Sequence, residues 1–427
     1  MNSIVRRRRL KFVATLNDDS LPESTDPDYE MEYIDIGNVD SSGQVNERAT
    51  YKFAAAPSRA RRKVEHGDVI ISTVRTYLQA IAPIENPEDN LIVSTGFAVA
   101  RPIRELLDAK YFKYALREPR FLNEVVARST GMSYPAINAS ELADITVCVH
   151  ELKNQRGIAT YLDSETARID ALVTEKERML FMLEQKRAAL ISHAVTRGLN
   201  PKAPTKPSGL NWLGEIPKHW NIRRVKYLIE ALTQGSSPQA SSFPAEANEL
   251  GVLKLSAISR GRFHRSENKA LRITEDEEIH PDSLSAGDVL VTRSNTPSRV
   301  GDACCVPEDE PNLLIPDLVY RLRVKRHFVM PEFLVNYLLT TSARTEIISD
   351  ARGSSGTMVK ISQDHVSNWK IPVPPVEEQE AIITHIQAHQ SRSAALQSAL
   401  RDSIALLKER RSALISAAVT GRLPVTI

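Results

Sequence analysis

At 427 residues the chain has room for two to four domains, each with a sizeable core. Its 42% hydrophobic and 25% charged content reads as an ordinary soluble globular protein. The 55 Lys and Arg against 53 Asp and Glu leave a net charge of +2, which excludes an indiscriminate polycation and requires any nucleic-acid surface to come from local clustering.

The chain starts with a basic run, Arg6-Arg7-Arg8-Arg9, but the apolar run behind it is too short for a signal peptide and ends in Asn17-Asp18-Asp19. No later stretch approaches the roughly 20 apolar residues of a membrane-spanning helix. Cys148, Cys304 and Cys305 form no metal-ligand spacing, and sequence neighbours rarely pair. The expected setting is a reducing cytoplasm.

The first half opens on Leu10-Lys11-Phe12-Val13 and continues through Ile34-Asp35-Ile36 to Gly67-Asp68-Val69-Ile70-Ile71-Ser72-Thr73, a β-branched run behind a Gly-Asp turn. A helical stretch follows near Tyr111 to Val126, then Ser129-Thr130-Gly131 and Ile145-Thr146-Val147. A long proline-free helix is predicted from about Gln155 to Thr196, stopped by Gly198.

The second half repeats the series. Val225-Lys226-Tyr227-Leu228 opens it, Leu253-Lys254-Leu255 follows, and Gly287-Asp288-Val289-Leu290-Val291-Thr292-Arg293 supplies the strand. Then come a helix near Glu332 to Ile348, Ser354-Ser355-Gly356, Ile371-Pro372-Val373 and a long helix from about Glu377 to Thr420 before Gly421. Between Lys186–Leu199 and Arg410–Leu423, nine of fourteen aligned positions are identical at an offset of 224. Elsewhere the offset drifts from about 215 to 226, as loops of unequal length require. The chain is two copies of one plan, and such a body suits a two-sided target.

The mixed regions read as α+β domains with compact sheets. In the first long helix Leu162, Ile169, Leu183 and Leu190 share one heptad position, with Leu172 and Met179 three residues behind it. Ile386, Leu400, Leu407 and Leu414 share the equivalent position in the second, with Leu396 beside them. About 40 residues make a rod roughly 60 Å long, and each amphipathic rod needs a partner. A pseudo-two-fold would pair them as an antiparallel coiled coil with the domains at its ends; the alternative is that each packs only on its own domain. The expected divisions are domains at 1–150 and 201–375, with long helices in 151–200 and 376–427.

These residues resemble the DNA-specificity subunit of type I restriction–modification systems. The match rests on Ser208-Gly209-Leu210-Asn211-Trp212-Leu213-Gly214-Glu215-Ile216-Pro217-Lys218-His219-Trp220, which looks like the opening of a target-recognition domain. It rests also on the two Gly-Asp strands, on Ile371-Pro372-Val373-Pro374-Pro375-Val376-Glu377-Glu378-Gln379 leading into the spacer helix, and on the repeated Ala-Leu-Ile-Ser-x-Ala-Val-Thr. The first half departs from the pattern: it lacks the Trp-Leu-Gly-Glu-Ile-Pro opening and carries Val149-His150-Glu151-Leu152-Lys153-Asn154-Gln155 before its helix.

The resemblance implies a non-catalytic subunit with two target-recognition domains, each reading half of an interrupted double-stranded DNA site, and a helical ruler between them. It also implies two methyltransferase subunits binding S-adenosylmethionine and endonuclease/translocase subunits using ATP and Mg. No cofactor is expected on this chain.

The residues agree on the absence of chemistry. There is no Gly-x-Gly, no Asn-Pro-Pro or Asp-Pro-Pro segment, and no second histidine at metal-site spacing from His150-Glu151. Glu175-Lys176-Glu177 reads as a charge cluster on a helix. The rival readings are an enzyme with an unfamiliar centre, nuclease or methyltransferase, and a coiled-coil scaffold that does not touch DNA.

Base reading needs Arg, Lys, Asn or Gln at base edges. The loops behind the Gly-Asp strands offer Arg75, Thr76 and Tyr77 in the first half, and Arg293, Ser294, Asn295, Thr296 and Arg299 in the second. The same arginines could instead pair with carboxylates or cap helices. Ser129, Ser354 and Ser355 lie in turns suited to phosphate, or are ordinary turn residues. Arg59, Arg61, Arg62 and Lys63, with Arg260, Arg262 and Arg265, are the local basic runs, and Gln234–Ser237 with Gln239 forms a polar loop.

Overall fold

The computed structural model describes residues 5–246, 248–272, 283–355 and 358–423. The chain divides into two compact units, Met1–Glu177 with Leu400–Ile427, and Arg178–Ala399. The division falls inside both long helices, Leu152–Arg197 and Val376–Val419, so each unit owns a stretch of each.

In the first unit the expected β-branched run forms the strand Val69–Ser72, with all four residues buried. Both faces of this strand are covered. Val69 and Ile71 join a core with Tyr111, Phe112 and Leu162, while Ile70 joins another with Ile34 and Val93. The strand sits inside an antiparallel sheet of order Ala14–Leu16, Phe97–Pro102, Val69–Ser72, Ile81–Pro83. A second sheet runs Ala49–Lys52, Glu30–Ile34, Leu91–Ser94, Ala60–Lys63, its middle pair parallel. The four arginines form the strand Arg6–Arg9, antiparallel to Thr146–Val149.

The Gly-Asp pair sets up the strand. Gly67 takes φ +95, where a Cβ is disfavoured, and the carboxylate of Asp68 accepts the Glu65 amide at 2.8 Å. That buried carboxylate also takes two bonds from Arg101, at 2.9 and 2.8 Å. In the second unit Gly287 has φ +91, and Asp288 accepts from the Ser285 amide and from Arg323. The motif therefore anchors the sheet and leaves the following loop to do other work.

The second unit repeats the order. Val289 and Val291 enter one core and Leu290 another, within the sheet Ile229–Gln234, Val319–Val324, Val289–Thr292, Ala303–Cys305. Asn221–Arg224 pairs with Lys370–Val373, as Arg6–Arg9 does with its own closing strand. The Trp-Leu-Gly-Glu-Ile-Pro segment makes a hairpin, Thr205–Pro207 with Glu215–Pro217, and adds Leu210, Leu213, Ile216 and Trp220 to the core.

Each helix expected before the serine turn is in fact two. The first breaks into Ala109–Ala115 and Pro119–Ala127, because Pro119 has no amide to continue the ladder and instead starts a new helix. The second breaks into Pro331–Leu338 and Thr341–Asp350, with the Thr340 hydroxyl accepting the Ala343 amide. The long helices stop at Gly198 and Gly421, with φ +76 and +73.

Within the first unit the long helices run antiparallel, since Arg411 meets Asp170 at 2.9 Å and Lys408 meets Glu177 at 3.2 Å. Within the second, Ala194 and Val195 share a core with Ile382, Ile383 and Ile386. Leu162, Ile169, Ile386 and Leu400 are buried, and Leu183, Leu190, Leu407 and Leu414 half-buried. The second heptad position needs correction. Leu172, Met179 and Leu396 are about half exposed, at 52%, 48% and 49%. The seam instead takes the next residue, Val173, Leu180 and Gln397, with Ile404 further along. A seam alternates steps of three and four, and one residue turns the helix by about 100°. Among the described residues no helix is long and apolar enough to cross a membrane, and the three cysteines are unbridged.

Candidate nucleic-acid interface

In the first unit the loop after Val69–Ser72 is held from both sides. The Thr73 hydroxyl donates to the Gly96 carbonyl at 2.8 Å, and Val74 bridges to Ala136. Arg75 and Gln79 adopt left-handed backbone, φ +51 and +52, on either side of the turn Thr76–Leu78. Non-glycine residues there carry strain of order 1 kcal/mol or more, which the loop must recover from its fixings. One fixing is Thr76, buried, whose hydroxyl donates to Ser129 Oγ at 2.7 Å; Ser129 donates in turn to the Val125 carbonyl.

The strain turns Arg75 outward. Its guanidinium lies 4.9 Å from the ring centre of Tyr134, which belongs to a small hairpin closed by Thr130 and Ala136. Tyr77, Tyr134 and Met132 are exposed, Met132 completely. The structure thus brings Arg75 onto Tyr134 at the solvent face, with Tyr77 and Met132 exposed on the same two loops. Thr76 and Ser129 support it from beneath and are not free to touch a ligand. Met132 and Tyr134 carry no periodic signal, so only the Val74–Ala136 bridge could have announced them.

In the second unit the corresponding loop is polar. Asn295 accepts the Thr296 amide with its own side chain, and Thr296 is exposed and hydrogen-bonds to Ser298. Ser294 is buried. Arg299 reaches Ser259 Oγ at 3.0 Å and Asp302 at 3.4 Å, so its positive end is partly spent. Asp302 also accepts the Arg260 amide, fixing the tight turn Arg260-Gly261 that joins Ile258–Ser259 to Arg262–Phe263. Arg344 donates to the carbonyls of Pro297 and Val300 and braces the loop from the helix behind it.

Asp317 is a second gathering point. Its carbonyl accepts from Arg293 at 3.3 Å and from Gln234 at 3.0 Å, while its carboxylate takes the Ser237 hydroxyl. Among the described residues Arg293 Nε, Ser294 Oγ and Arg299 Nε are buried and find no hydrogen-bond partner. Such atoms are costly in a finished core and here crowd one loop. Ser354 and Ser355 lie on the strand Arg352–Ser355 rather than in a turn, and Gly356 is outside the described residues. That strand and Met358–Lys360 extend the sheet from Ser294–Asn295.

The basic run of the first half forms the strand Ala60–Lys63, ahead of Val69–Ser72. Arg59 is exposed, Arg61 lies over the Phe53 ring at 4.4 Å, and Lys63 pairs with Asp19 at 3.3 Å. Arg62 is half-buried, and burial pulls its pKa down, so a neighbouring anion would relieve it. In the second half Arg260 and Arg262 are exposed, whereas Arg265 is bound to Glu310 at 2.8 Å. Among the described residues no group of His, Cys, Asp or Glu is placed to hold a metal. The arrangement offers cations, amides and aromatic faces on braced loops, which is the chemistry of binding.

Comparison with known proteins places residues 217–406 in the family model described as the type I restriction modification DNA specificity domain. The chain is 22% identical over 331 residues to the EcoKI specificity subunit of Escherichia coli K12, covering 76% of this chain and 68% of that protein. It is 20% identical over 318 residues to the EcoBI specificity subunit of Escherichia coli, covering 74% and 65%. The chain thus spans about two thirds of these relatives' length. A solved structure described for complex assembly and conformational transition of the type I R-M system aligns over 98% of both chains, with TM-score 0.72 and 22% identity. That likeness concerns the fold.

Proposed function

Since the chain belongs to the DNA-specificity family of type I restriction–modification systems, we propose a division of labour among its parts. It is a specificity subunit, which selects DNA and makes no bond itself. Each unit reads one half of an asymmetric, bipartite double-stranded site. The paired long helices set the gap and dock two methyltransferase subunits, and endonuclease/translocase subunits complete a restricting complex. S-adenosylmethionine belongs to the methyltransferase subunits, ATP and Mg to the translocating ones, and the assembly works in the cytoplasm.

One observation carries this reading: the same scaffold occurs twice with unlike loops. The Gly-Asp anchor and the closing strand pair recur in both units, yet with the two Gly-Asp pairs aligned, Arg75 and Tyr77 stand where the other unit has Asn295 and Pro297. A symmetric reader would need equal loops, as dimers have on palindromic half-sites. Unequal loops suit an unequal site.

Genome-wide methylation mapping, in a host making this chain with its partners, tests the reading. The expected result is a two-part, non-palindromic motif with a fixed gap, and a continuous motif overturns it. Inserting one matched turn in each long helix should change the gap and leave both half-motifs intact.

A further inference from the structure

The hairpins beside the two Gly-Asp strands share a plan and differ in what they hold out. The Ile137 and Ile361 amides donate to the carbonyls of Thr73 and Arg293, so the hairpins correspond at an offset of 224. Tyr134 then corresponds to Met358, and with the Gly-Asp pairs aligned Arg75 corresponds to Asn295. In the second unit the Asn295 side chain is engaged within its own loop, by the Thr296 amide. In the first, Arg75 lies over the Tyr134 ring and has no carboxylate partner among the described residues.

The hairpin of the first unit is stiff. Thr130 and Ala136 exchange two backbone bonds of 2.9 Å, the Ile137 amide ties the hairpin to Thr73 at 2.9 Å, and Pro135 fixes its own φ. Gly131 makes the turn possible, at φ +114 with the Tyr134 carbonyl oxygen 3.1 Å from where a Cβ would stand. On this frame Met132 is wholly exposed and Tyr134 is 64% exposed. Apolar side chains held in water by a braced turn gain nothing from the rest of the chain. Two of them on so narrow a tip are also too little surface for a protein partner, since stable interfaces take roughly 800 Å² from each side. A thin apolar blade backed by a cation matches instead the gap between two base pairs of an anionic duplex.

We propose that this hairpin is a wedge: Met132 and Tyr134 enter between adjacent base pairs of the half-site bound by the first unit, with Arg75 backing the ring. The inference rests on the reading that this unit binds duplex DNA. One face of the ring is taken by Arg75, and the other stacks on a base while Met132 fills the opened step. Opening is easiest at a pyrimidine–purine step, so the first unit senses how readily its half-site deforms. The polar loop of the second unit is fitted to base edges instead. The two halves of the site are therefore read by different physics.

The test uses the full chain with its methyltransferase subunits, without S-adenosylmethionine, saturating duplexes that carry the mapped motif with 2-aminopurine at one position at a time. This base brightens when it leaves the stack. A methyltransferase swings its own target base out, so brightening there is common to every variant. One further step should brighten several-fold in the native complex. Met132→Ser with Tyr134→Ser should abolish that rise and weaken cognate binding on the order of tenfold or more. Its thermal midpoint should not move, because both side chains are exposed. Met132→Leu with Tyr134→Phe keeps the apolar bulk and should keep the rise. No further brightening in the native complex, or brightening that survives the double serine variant, overturns the inference and leaves the reading standing. Brightening lost in the leucine and phenylalanine variant as well overturns it too, assigning the contact to the tyrosine hydroxyl. If the native complex does not prefer a two-part motif over random duplex, the reading falls and the inference with it.

Discussion

Trp220 donates its indole N–H to Glu378 at 3.0 Å, and His219 meets the same carboxylate oxygen at 2.7 Å. The tryptophan closes the opening hairpin segment of the second unit and the glutamate stands in the first turn of the second long helix, so two distant sequence motifs are one contact. Trp220→Phe should destabilise the second unit by about 1.5–3 kcal/mol, the usual loss for a bond to a charged acceptor. Calorimetry should show that unit's transition falling; an unmoved transition would assign the pair no structural weight.

Gln155 and Gln379 are fully buried and make matching bonds, each in its own unit. Gln155 accepts the Asp108 amide and donates to the carbonyls of Leu106 and His150; Gln379 accepts the Met330 amide and donates to those of Phe328 and Pro374. Each ties the first turn of a long helix to the loop before a short one. Replacing either by Leu strands three buried groups, at a cost of about 2–4 kcal/mol. Hydrogen exchange should quicken at Asp108 for Gln155→Leu and at Met330 for Gln379→Leu. Exchange left slow at both would reject the clamp.

For the loops, Arg75→Ala and Asn295→Ala should each reduce affinity for the cognate site by ~1–3 kcal/mol if the side chain reads a base. Thr76→Val should instead lower stability, since its hydroxyl is committed to Ser129. Replacing Arg59 and Arg61 should weaken binding to all sequences alike and flatten the dependence on salt. A salt-controlled titration with specific and random duplexes separates these outcomes, and equal affinities throughout would remove the residues from the interface.

Burial pushes the carboxyl of Glu346 up to about 7 from its ordinary 4.5, although the Lys370 amide donates to it. Its folded pKa is raised, so its contribution to stability is whole below pH 4.5 and lost as pH climbs through 7. Glu346→Gln, which cannot ionise, should therefore gain about 1–3 kcal/mol over the native protein at pH 8 relative to pH 5. Denaturant midpoints at both values decide it; a gain equal at both would place the effect elsewhere.

At the helix pair, Val173→Asp should destabilise the first unit by several kcal/mol, as burying an unpaired charge does, or drive a large pKa shift. Leu172→Asp, one residue away and half exposed, should cost little. Thermal unfolding of the two variants distinguishes the seam described above from one a single residue out of step.

The sequence was most legible where local chemistry and tertiary role coincide. A β-branched run behind Gly-Asp is a strand wherever it sits, and Gly198 and Gly421 end helices because only glycine takes their backbone cheaply. The seam was half legible. Its first position is mostly leucine and isoleucine, but its second holds Thr166, Lys176's neighbour Val173, Arg187 and Gln390, so hydrophobicity favoured exposed Leu172 and Met179 instead. The short helices were overlooked as pairs because Pro119 continues a helical composition while breaking its ladder. The binding loops were least legible. Thr76 faces inward because of Ser129, 53 residues away, Tyr134 comes beside Arg75 through the distant bridge of Val74 to Ala136, and Asp302 and Arg344 act through partners no spacing could disclose.

Ile415, Ala418 and Val419, in the last turns of the second long helix, complete the core that begins at Leu10, and the Val419 carbonyl bonds to His150 at 2.8 Å. Domains ordinarily fold in the order the ribosome releases them. Here the part translated first stays unsealed until Val419 has been made, with Leu162 and its neighbours waiting for a lid supplied from far downstream. A frameshift just ahead of Ile415 would thus injure the oldest part of the molecule.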